Sequence, residues 1–248
     1  RYIQRERYHA MQRIGHKLAS PLMAALATLK RNQHQDARRP WRTKRDYGFY
    51  LLMTNSVDMS LEKQETQVVS RKRVADHGEV LTGRREVNAM LDLVKQETER
   101  IESRFLEPAC GTGNFLTEIL ERKLCVVEAR YGKSQLEYER NAVLAVSSIY
   151  GIDILEDNIL ECRKRLFDIF DHKYTGIFKE AAKDECRNSV KYILERNIIR
   201  GDALTLKMVG DNPQPIVFSE WSPVNGNMLK RRDFTFHGLL DHAAMKEM

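Results

Sequence analysis

Apolar residues recur at helical spacing along much of the chain after residue 85, and short apolar runs separate these stretches. The spacing predicts amphipathic helices over 86–103, 114–123, 134–148, 157–170 and 179–197. The short runs predict strands at 104–107, 149–153 and 215–219, with a further apolar start at 198–199. Because strands and helices alternate, we expect an α/β fold with a parallel sheet and helices on both of its faces.

The first 58 residues follow a different pattern. A helix is predicted over 12–30, although Pro21 interrupts it. Residues 1–58 contain 12 Lys or Arg and 4 Asp or Glu, whereas the rest of the chain contains 29 and 31. This segment is interpreted either as a nucleic-acid-binding arm, with Trp41 stacking on a base, or as a solvated extension. We expect a basic, partly disordered extension over 1–69 and one domain over 70–248.

Composition limits the class of protein. Hydrophobic residues make up 42% and charged residues 31% of the chain, as in a globular protein with a substantial core. No apolar stretch approaches the ~20 residues of a membrane span, and no secretory signal is seen. The four cysteines fit no zinc-binding spacing, so we expect reduced thiols, no metal and a cytoplasmic location. After residue 58 the charge balance is −2, which argues against a protein that binds DNA by charge alone.

The most specific motif lies where a predicted strand meets a predicted helix. Its residues are Glu107, Pro108, Ala109, Cys110, Gly111, Thr112, Gly113, Asn114, Phe115 and Leu116. Gly111 and Gly113 allow a tight turn and the close approach of a ligand. The ligand would lie at the C-terminal edge of the sheet, at the switch point of a doubly wound fold. A dinucleotide-binding turn is disfavoured because it needs a third glycine, where this turn has Phe115 and Leu116.

Three further segments carry candidate ligand contacts. Thr82, in the segment 76–87, is interpreted as a helix N-cap, as a ligand contact or as both, since a helix N-terminus attracts a carboxylate. Asp153 ends the strand 149–153, at the position that accepts ribose hydroxyls in sheets of this kind. Asp202 lies in the segment 200–204. Each acid alone also fits a strand-end cap, but their order after the glycine-rich motif favours a ligand site.

Together these motifs resemble the S-adenosylmethionine-binding portion of the amino-methyltransferases of restriction-modification systems, which methylate adenine N6 in DNA. The resemblance covers roughly residues 70–225. It implies a doubly wound, Rossmann-like class I methyltransferase sheet that is incomplete at its C-terminal side. Leu81 and Gly83 depart from the family, which has an aromatic residue and a proline at these positions.

The resemblance also implies roles for individual residues. Glu107 would face the methionine amino group of the cofactor, Asp153 its ribose and Asp202 its adenine amino group. The segment around Thr82 would lie over the cofactor, and Ile154 would pack against adenine. The implied cofactor-binding set is Thr82, Glu107, Pro108, Ala109, Cys110, Gly111, Gly113, Asn114, Phe115, Asp153, Ile154, Asp202 and Ala203.

The catalytic motif of this family is not found. It reads Asn or Asp, Pro, Pro, then Tyr or Phe, follows the fourth strand and holds the flipped adenine. Residues 211–215 precede the apolar run and lack the aromatic residue, and residues 219–224 do not match either. The catalytic residues are therefore unknown.

Three interpretations follow from the missing motif. In the first, the chain is one subunit of a split enzyme, and a partner chain carries the catalytic motif and the target-recognition region. In the second, it is the product of a gene cut short. In the third, it is an inactive homologue with a cofactor-binding or regulatory role on DNA. The first is favoured, so the expected partners are DNA and that protein. We expect the sheet edge beyond 216–219 to be a docking surface. Its anchors would be Trp221, Phe234 and Phe236, unless these close the core, and Lys230–Arg232 would meet DNA or an acidic partner.

Overall fold

The computed structural model of the chain describes residue 73, residues 82–224 and residues 228–238. The extension assigned to residues 1–69, with its predicted helix at 12–30 and with Trp41, lies outside the described residues. Leu81 also lies outside them.

The described residues alternate between helices and strands. The helices are α1 (Arg84–Asp92), α2 (Lys95–Thr98), α3 (Asn114–Tyr131), α4 (Gln135–Ser147), α5 (Glu156–Phe178) and α6 (Asp184–Asn197), with a 3-10 turn at Lys179–Ala181. The strands are β1 (Phe105–Glu107), β2 (Ile149–Asp153), β3 (Ile198–Asp202), β4 (Lys207–Met208), β5 (Val217–Pro223) and β6 (Leu229–Thr235). The predicted α/β fold is confirmed at this level.

None of the five predicted helices has its predicted bounds: α4 is shorter by one residue at each end, α6 begins at Asp184, and the other three differ more. The helix predicted over 86–103 is divided into α1 and α2, because Val94 leaves the helical conformation with φ −123° and ψ 33°. The helices α3 and α5 continue to Tyr131 and Phe178. Their buried faces are extended by Val127 and Tyr174, neither of which is exposed to solvent. Packing against neighbouring elements therefore decides where these helices end.

The strands β1, β2 and β3 are parallel and lie side by side in that order. Phe105 lies opposite Ile149, and Gly151 lies opposite Ile198. The short strand β4 adds to β3 in the antiparallel direction, so the four-stranded sheet is mixed.

The apolar run at 215–219 contributes to a strand, but this strand does not join the parallel sheet. Val217 begins β5, which pairs antiparallel with β6 in a separate two-stranded hairpin. The expectation of a further parallel strand is therefore wrong. The physical reason is proximity in sequence, since β6 follows β5 within a few residues and neighbouring strands pair most readily.

The two faces of the four-stranded sheet have different covers. The side chains that face the helices are those of Phe105, Ile149 and Ile198. The side chains that face the opposite side are those of Leu106, Tyr150, Ile152 and Ile199. This second set is covered by Phe218 of β5 and by the residues next to the hairpin on either side, Ile216 before β5 and Phe236 after β6. Within the described residues, helices thus cover one face and the hairpin the other, which corrects the expectation of helices on both faces.

A buried lysine ties the amino-terminal ends of the strands to α3. Lys123 has no solvent exposure, and its Nζ donates hydrogen bonds to the Ile101 carbonyl at 3.1 Å, to the Ser103 carbonyl and to Ser148 Oγ. It also lies 5.0 Å from the centroid of the Phe105 ring. Burial lowers the pKa of Lys123 to about 7, because the ammonium loses its hydration.

Candidate functional site

Three parallel strands end in acidic residues at one edge of the sheet. Glu107 ends β1, Asp153 ends β2 and Asp202 ends β3, and all three are half-buried. Glu107 lies opposite Gly151 and Asp153 lies opposite Arg200, so each acid stands two residues further along than the one before it. Residues two apart share a face of a strand, so the acids form a staggered row on one side of the sheet.

The glycine-rich turn connects β1 to α3 at this edge. Gly111 has φ +53° and Gly113 has φ +89°, which lie in the left-handed region that favours glycine. A Cβ at Gly113 would lie 2.6 Å from the sulfur of Cys162 on α5. Gly113 is therefore required by the packing of the turn against α5, a reason that the sequence analysis did not anticipate.

Asp153 joins the end of β2 to the glycine-rich turn. Its Oδ2 accepts the Gly111 N–H at 2.9 Å. Its Oδ1 accepts the Leu155 N–H at 2.9 Å and the Asn158 side-chain amide at 3.2 Å. The fixed carboxylate presents an oxygen beside the turn, where hydroxyl hydrogens of a ligand could be accepted.

Asp202 ends β3 with the same local geometry. Its Oδ1 accepts the Leu204 N–H at 2.9 Å, two residues ahead, as Asp153 does with Leu155. Both acids therefore act as strand-end caps, one of the two interpretations that their sequence positions allowed. Their contact with a cofactor stays a prediction.

The segment that begins α1 is fixed to the start of α3. Asn114 donates from its side-chain amide to the Thr82 carbonyl at 2.8 Å. Thr82 is not the helix N-cap: that position belongs to Gly83, and no side chain caps the helix. The capping role expected of Thr82 is therefore wrong, because the chain enters α1 one residue later. Its position beside the glycine-rich turn is what the ligand interpretation requires.

The remaining residues of the predicted set support the turn in different ways. Pro108 and Cys110 are buried, Ala109 is exposed, and Phe115 packs partly against the main core. A hydrogen bond with Cys162 and burial raise the pKa of the Cys110 thiol well above its ordinary value, which disfavours the thiolate. The last two members of the set are Ile154, which is half-buried, and Ala203, which is buried in the second core.

Two residues missed by the sequence analysis complete the site. Asn158 is buried, binds Asp153 and accepts a hydrogen bond from Arg73 Nη2 at 3.1 Å. Its polar side chain beside the apolar stripe of α5 was the available signal. Arg165 contacts the turn at Thr112 and Asn114. These partners are about 50 residues away in sequence, so no local pattern could have revealed them.

The segment after the apolar run does not form a loop at this edge. Ser219 to Pro223 belong to β5, where Glu220 pairs with Arg104, the residue before β1, and the Trp221 ring packs against Tyr192. Phe236 is not exposed at all. As an anchor of the expected docking edge beyond 216–219, Phe236 is therefore wrong, since it closes the second core. Trp221 and Phe234 are half-buried, and the docking surface itself stays a prediction. Lys230–Arg232 are exposed.

No helix within the described ranges has the length and apolar character needed to cross a membrane. Over the same part of the chain, no cluster of three or more His, Cys, Asp or Glu residues could hold a metal ion. Comparison of the chain with protein-family models, with curated proteins and with solved structures found no match.

Proposed function

We propose that this domain binds S-adenosylmethionine and forms the cofactor half of a DNA adenine-N6 methyltransferase. The observation that carries the proposal is the hydrogen bond from Gly111 to Asp153. It brings the acid expected to bind ribose against the turn expected to bind the methionine portion. A class I methyltransferase topology is part of the same proposal, supported by the parallel order β1-β2-β3.

The row of acids suits the donors of this cofactor. Ribose hydroxyls, the adenine amino group and the methionine ammonium all need acceptors, which Asp153, Asp202 and Glu107 supply. Hydrogen bonds to a carboxylate are shorter and stronger than those between neutral groups. Thr82, held to Asn114 at 2.8 Å, adds a further wall beside the turn.

A partner chain would supply the acceptor half in this proposal. Methyl transfer requires the target base outside the DNA helix and its nitrogen aimed at the methyl carbon. Residues 219–223, where a catalytic loop would follow the apolar run, are paired in β5. This placement supports a site completed elsewhere, in a restriction-modification system where DNA is the substrate.

The proposal is tested by calorimetry on the full chain with S-adenosylmethionine, S-adenosylhomocysteine and, as a dinucleotide control, NAD. We expect the two adenosyl ligands to bind and NAD not to bind. If circular dichroism shows that the chain is folded and it binds neither adenosyl ligand, the proposal is wrong.

Substitution of Asp153 locates the ligand. Asp153→Ala should weaken binding by about 1–3 kcal/mol, through the loss of charge-assisted hydrogen bonds. Asp153 also accepts the Gly111 N–H, so its loss affects both the ligand contact and the turn. The variant Asp153→Asn and melting curves of both variants distinguish these two effects. The matched control is Asp168→Ala, an exposed α5 acid that pairs with Lys164 and should leave affinity unchanged.

A further inference from the structure

Arg165 is a half-buried guanidinium that holds the glycine-rich turn from the side of α5. Its Nη1 donates to the Thr112 carbonyl at 2.8 Å, to Thr112 Oγ1 at 3.2 Å and to Asn114 Oδ1 at 2.8 Å. Through the other end of the Asn114 amide, the same contact reaches the Thr82 carbonyl. One side chain therefore fixes the turn, the start of α3 and the segment before α1.

The charge of Arg165 is not matched within the described part of the chain. Its acceptors there are a carbonyl, a hydroxyl and an amide oxygen, and none is a carboxylate. Two other arginines near this edge are paired, Arg73 with Asp157 and Arg200 with Glu156 at 3.0 Å. A partly buried cation without a counter-ion is unfavourable, so an anion brought by a ligand would be stabilised here.

The geometry of the guanidinium suits a planar anion. Only Nη1 bonds to described residues, so Nε and Nη2, which form the fork on the other side, make no hydrogen bond to this part of the protein. An arginine fork binds a carboxylate through two parallel hydrogen bonds. The N-terminus of α3 begins at Asn114 and adds positive potential at the same place.

We propose that Arg165 binds the carboxylate of the ligand that occupies the glycine-rich turn. The inference rests on the proposed function, in which that ligand is S-adenosylmethionine or its demethylated product. Both carry an amino-acid tail with a carboxylate and an ammonium. Arg165 and Glu107 thus supply opposite charges for the two ends of a zwitterion, beside the acids that take the ribose and adenine.

Ligand dissection tests this role. The full chain and its Arg165→Gln variant are titrated with S-adenosylhomocysteine and with 5′-methylthioadenosine, which keeps the adenosine and the sulfur but lacks the amino-acid tail. We expect Arg165→Gln to weaken S-adenosylhomocysteine binding about 10- to 100-fold, as for a hydrogen bond between charged groups. Binding of 5′-methylthioadenosine should weaken clearly less, and only through the lost contacts of Arg165 with the turn, since this ligand has no carboxylate for Arg165 to bind.

Two further variants keep the test interpretable. Arg165→Lys keeps the charge but loses the fork, so its loss of S-adenosylhomocysteine affinity should be smaller than that of Arg165→Gln. Lys164→Gln, at the neighbouring exposed position that pairs with Asp168, is the control and should bind both ligands like the wild type. Circular dichroism and melting curves establish that each variant is folded.

The outcomes separate the two proposals. Equal losses for both ligands would overturn a carboxylate contact and leave Arg165 as a residue that only positions the turn. Unchanged binding of S-adenosylhomocysteine would overturn the inference while the proposed function stands. A wild-type chain that binds neither ligand would contradict both.

Discussion

At the scale of single residues, the conformation of Gly113 links the turn to the helix behind it. The residue combines a left-handed φ of +89° with the close approach of Cys162. Either feature alone would disfavour a side chain, and the two act on the same Cβ. The geometry of the glycine-rich turn therefore depends on its packing against α5.

Substitution of this glycine should destabilise the protein. We expect Gly113→Ala to lower the free energy of unfolding by at least about 2 kcal/mol, from backbone strain and the overlap with Cys162. The matched control is Gly176→Ala in α5, where a Cβ would meet nothing within 4 Å. That change should stabilise the helix by up to about 1 kcal/mol. Urea denaturation of both variants checks this, and equal effects would contradict the packing argument.

Lys123 gives the stability a defined pH dependence. Its pKa is lowered to about 7 in the folded protein by burial, although Glu102 and Glu97 oppose the shift. Between pH 7 and pH 10 the unfolded chain binds a proton that the folded chain has released. The free energy of unfolding should therefore rise with pH, by up to about 1.4 kcal/mol per unit from this group.

The measurement compares urea denaturation of the wild type and of Lys123→Met at several pH values between 6 and 10. Other titrating groups are common to both proteins, so the difference between their free energies of unfolding isolates the lysine. That difference should move in favour of the wild type as the pH rises. Parallel profiles would mean that Lys123 keeps its proton in the folded state.

At the scale of elements, the β5–β6 hairpin is the cover of one sheet face. Phe218 is 2% exposed. The centroid of its ring lies 5.4 Å from the centroid of the Tyr150 ring and 5.7 Å from that of the Phe236 ring, and both pairs pack edge to face. The hairpin therefore contributes to the second core through its side chains, while its strands β5 and β6 pair with each other.

Removal of this contact should be costly. Phe218→Ala is expected to lower the free energy of unfolding by about 3–5 kcal/mol, as for other buried phenylalanines. Val217→Ala, at the adjacent position that is 42% exposed, should cost well under half as much. Thermal and chemical denaturation measure both. A small effect of Phe218→Ala would indicate that the hairpin is only loosely attached.

The sequence predicted the helical layer better than the hairpin. Helical periodicity is a local property, so α3, α4, α5 and α6 were located with errors at their ends only. The run at 215–219 fits a buried parallel strand and an antiparallel one equally, and only a partner distinguishes them. That partner, β6, reads Leu229-Lys-Arg-Arg-Asp-Phe-Thr235 and has no apolar alternation. It is mostly exposed, so hydrophobic patterning could not reveal it.

Some residues of the candidate site could be predicted from the sequence, and others could not. Glu107, Asp153, Asp202 and the glycines were predictable because residue type and strand position identify them. Arg165 was not, since its contacts are with residues about 50 positions away in sequence. Asn158 lies close to Asp153 in the chain, and its polar side chain beside an apolar stripe was the only signal.

At the scale of the whole molecule, the proposed function gives this chain a methyl donor site and leaves the methyl acceptor to a partner. The chain alone is therefore expected not to methylate DNA, even with S-adenosylmethionine bound. The reason is that most of the catalysis lies in positioning the flipped base. A tritiated-cofactor assay with adenine-containing duplex measures this, first on the purified chain and then with the neighbouring gene product added.

Each result of that assay has a distinct meaning. Transfer only on mixing would support the split enzyme, and no transfer in either case would favour the inactive homologue. Efficient transfer by the chain alone would contradict the assignment of residues 219–224 to a structural hairpin without catalytic groups.

The position of the hairpin in the chain affects folding during synthesis. Ribosomes release β1, β2 and β3 before residues 216–236, so the apolar side chains of Tyr150, Ile152 and Ile199 emerge ahead of their hairpin cover. At translation rates of about 5–20 residues per second, this interval lasts seconds. The nascent domain then carries an exposed apolar sheet face, the kind of surface that chaperones bind and that drives aggregation. Residues 216–236 thus end the aggregation-prone period of biosynthesis when they dock.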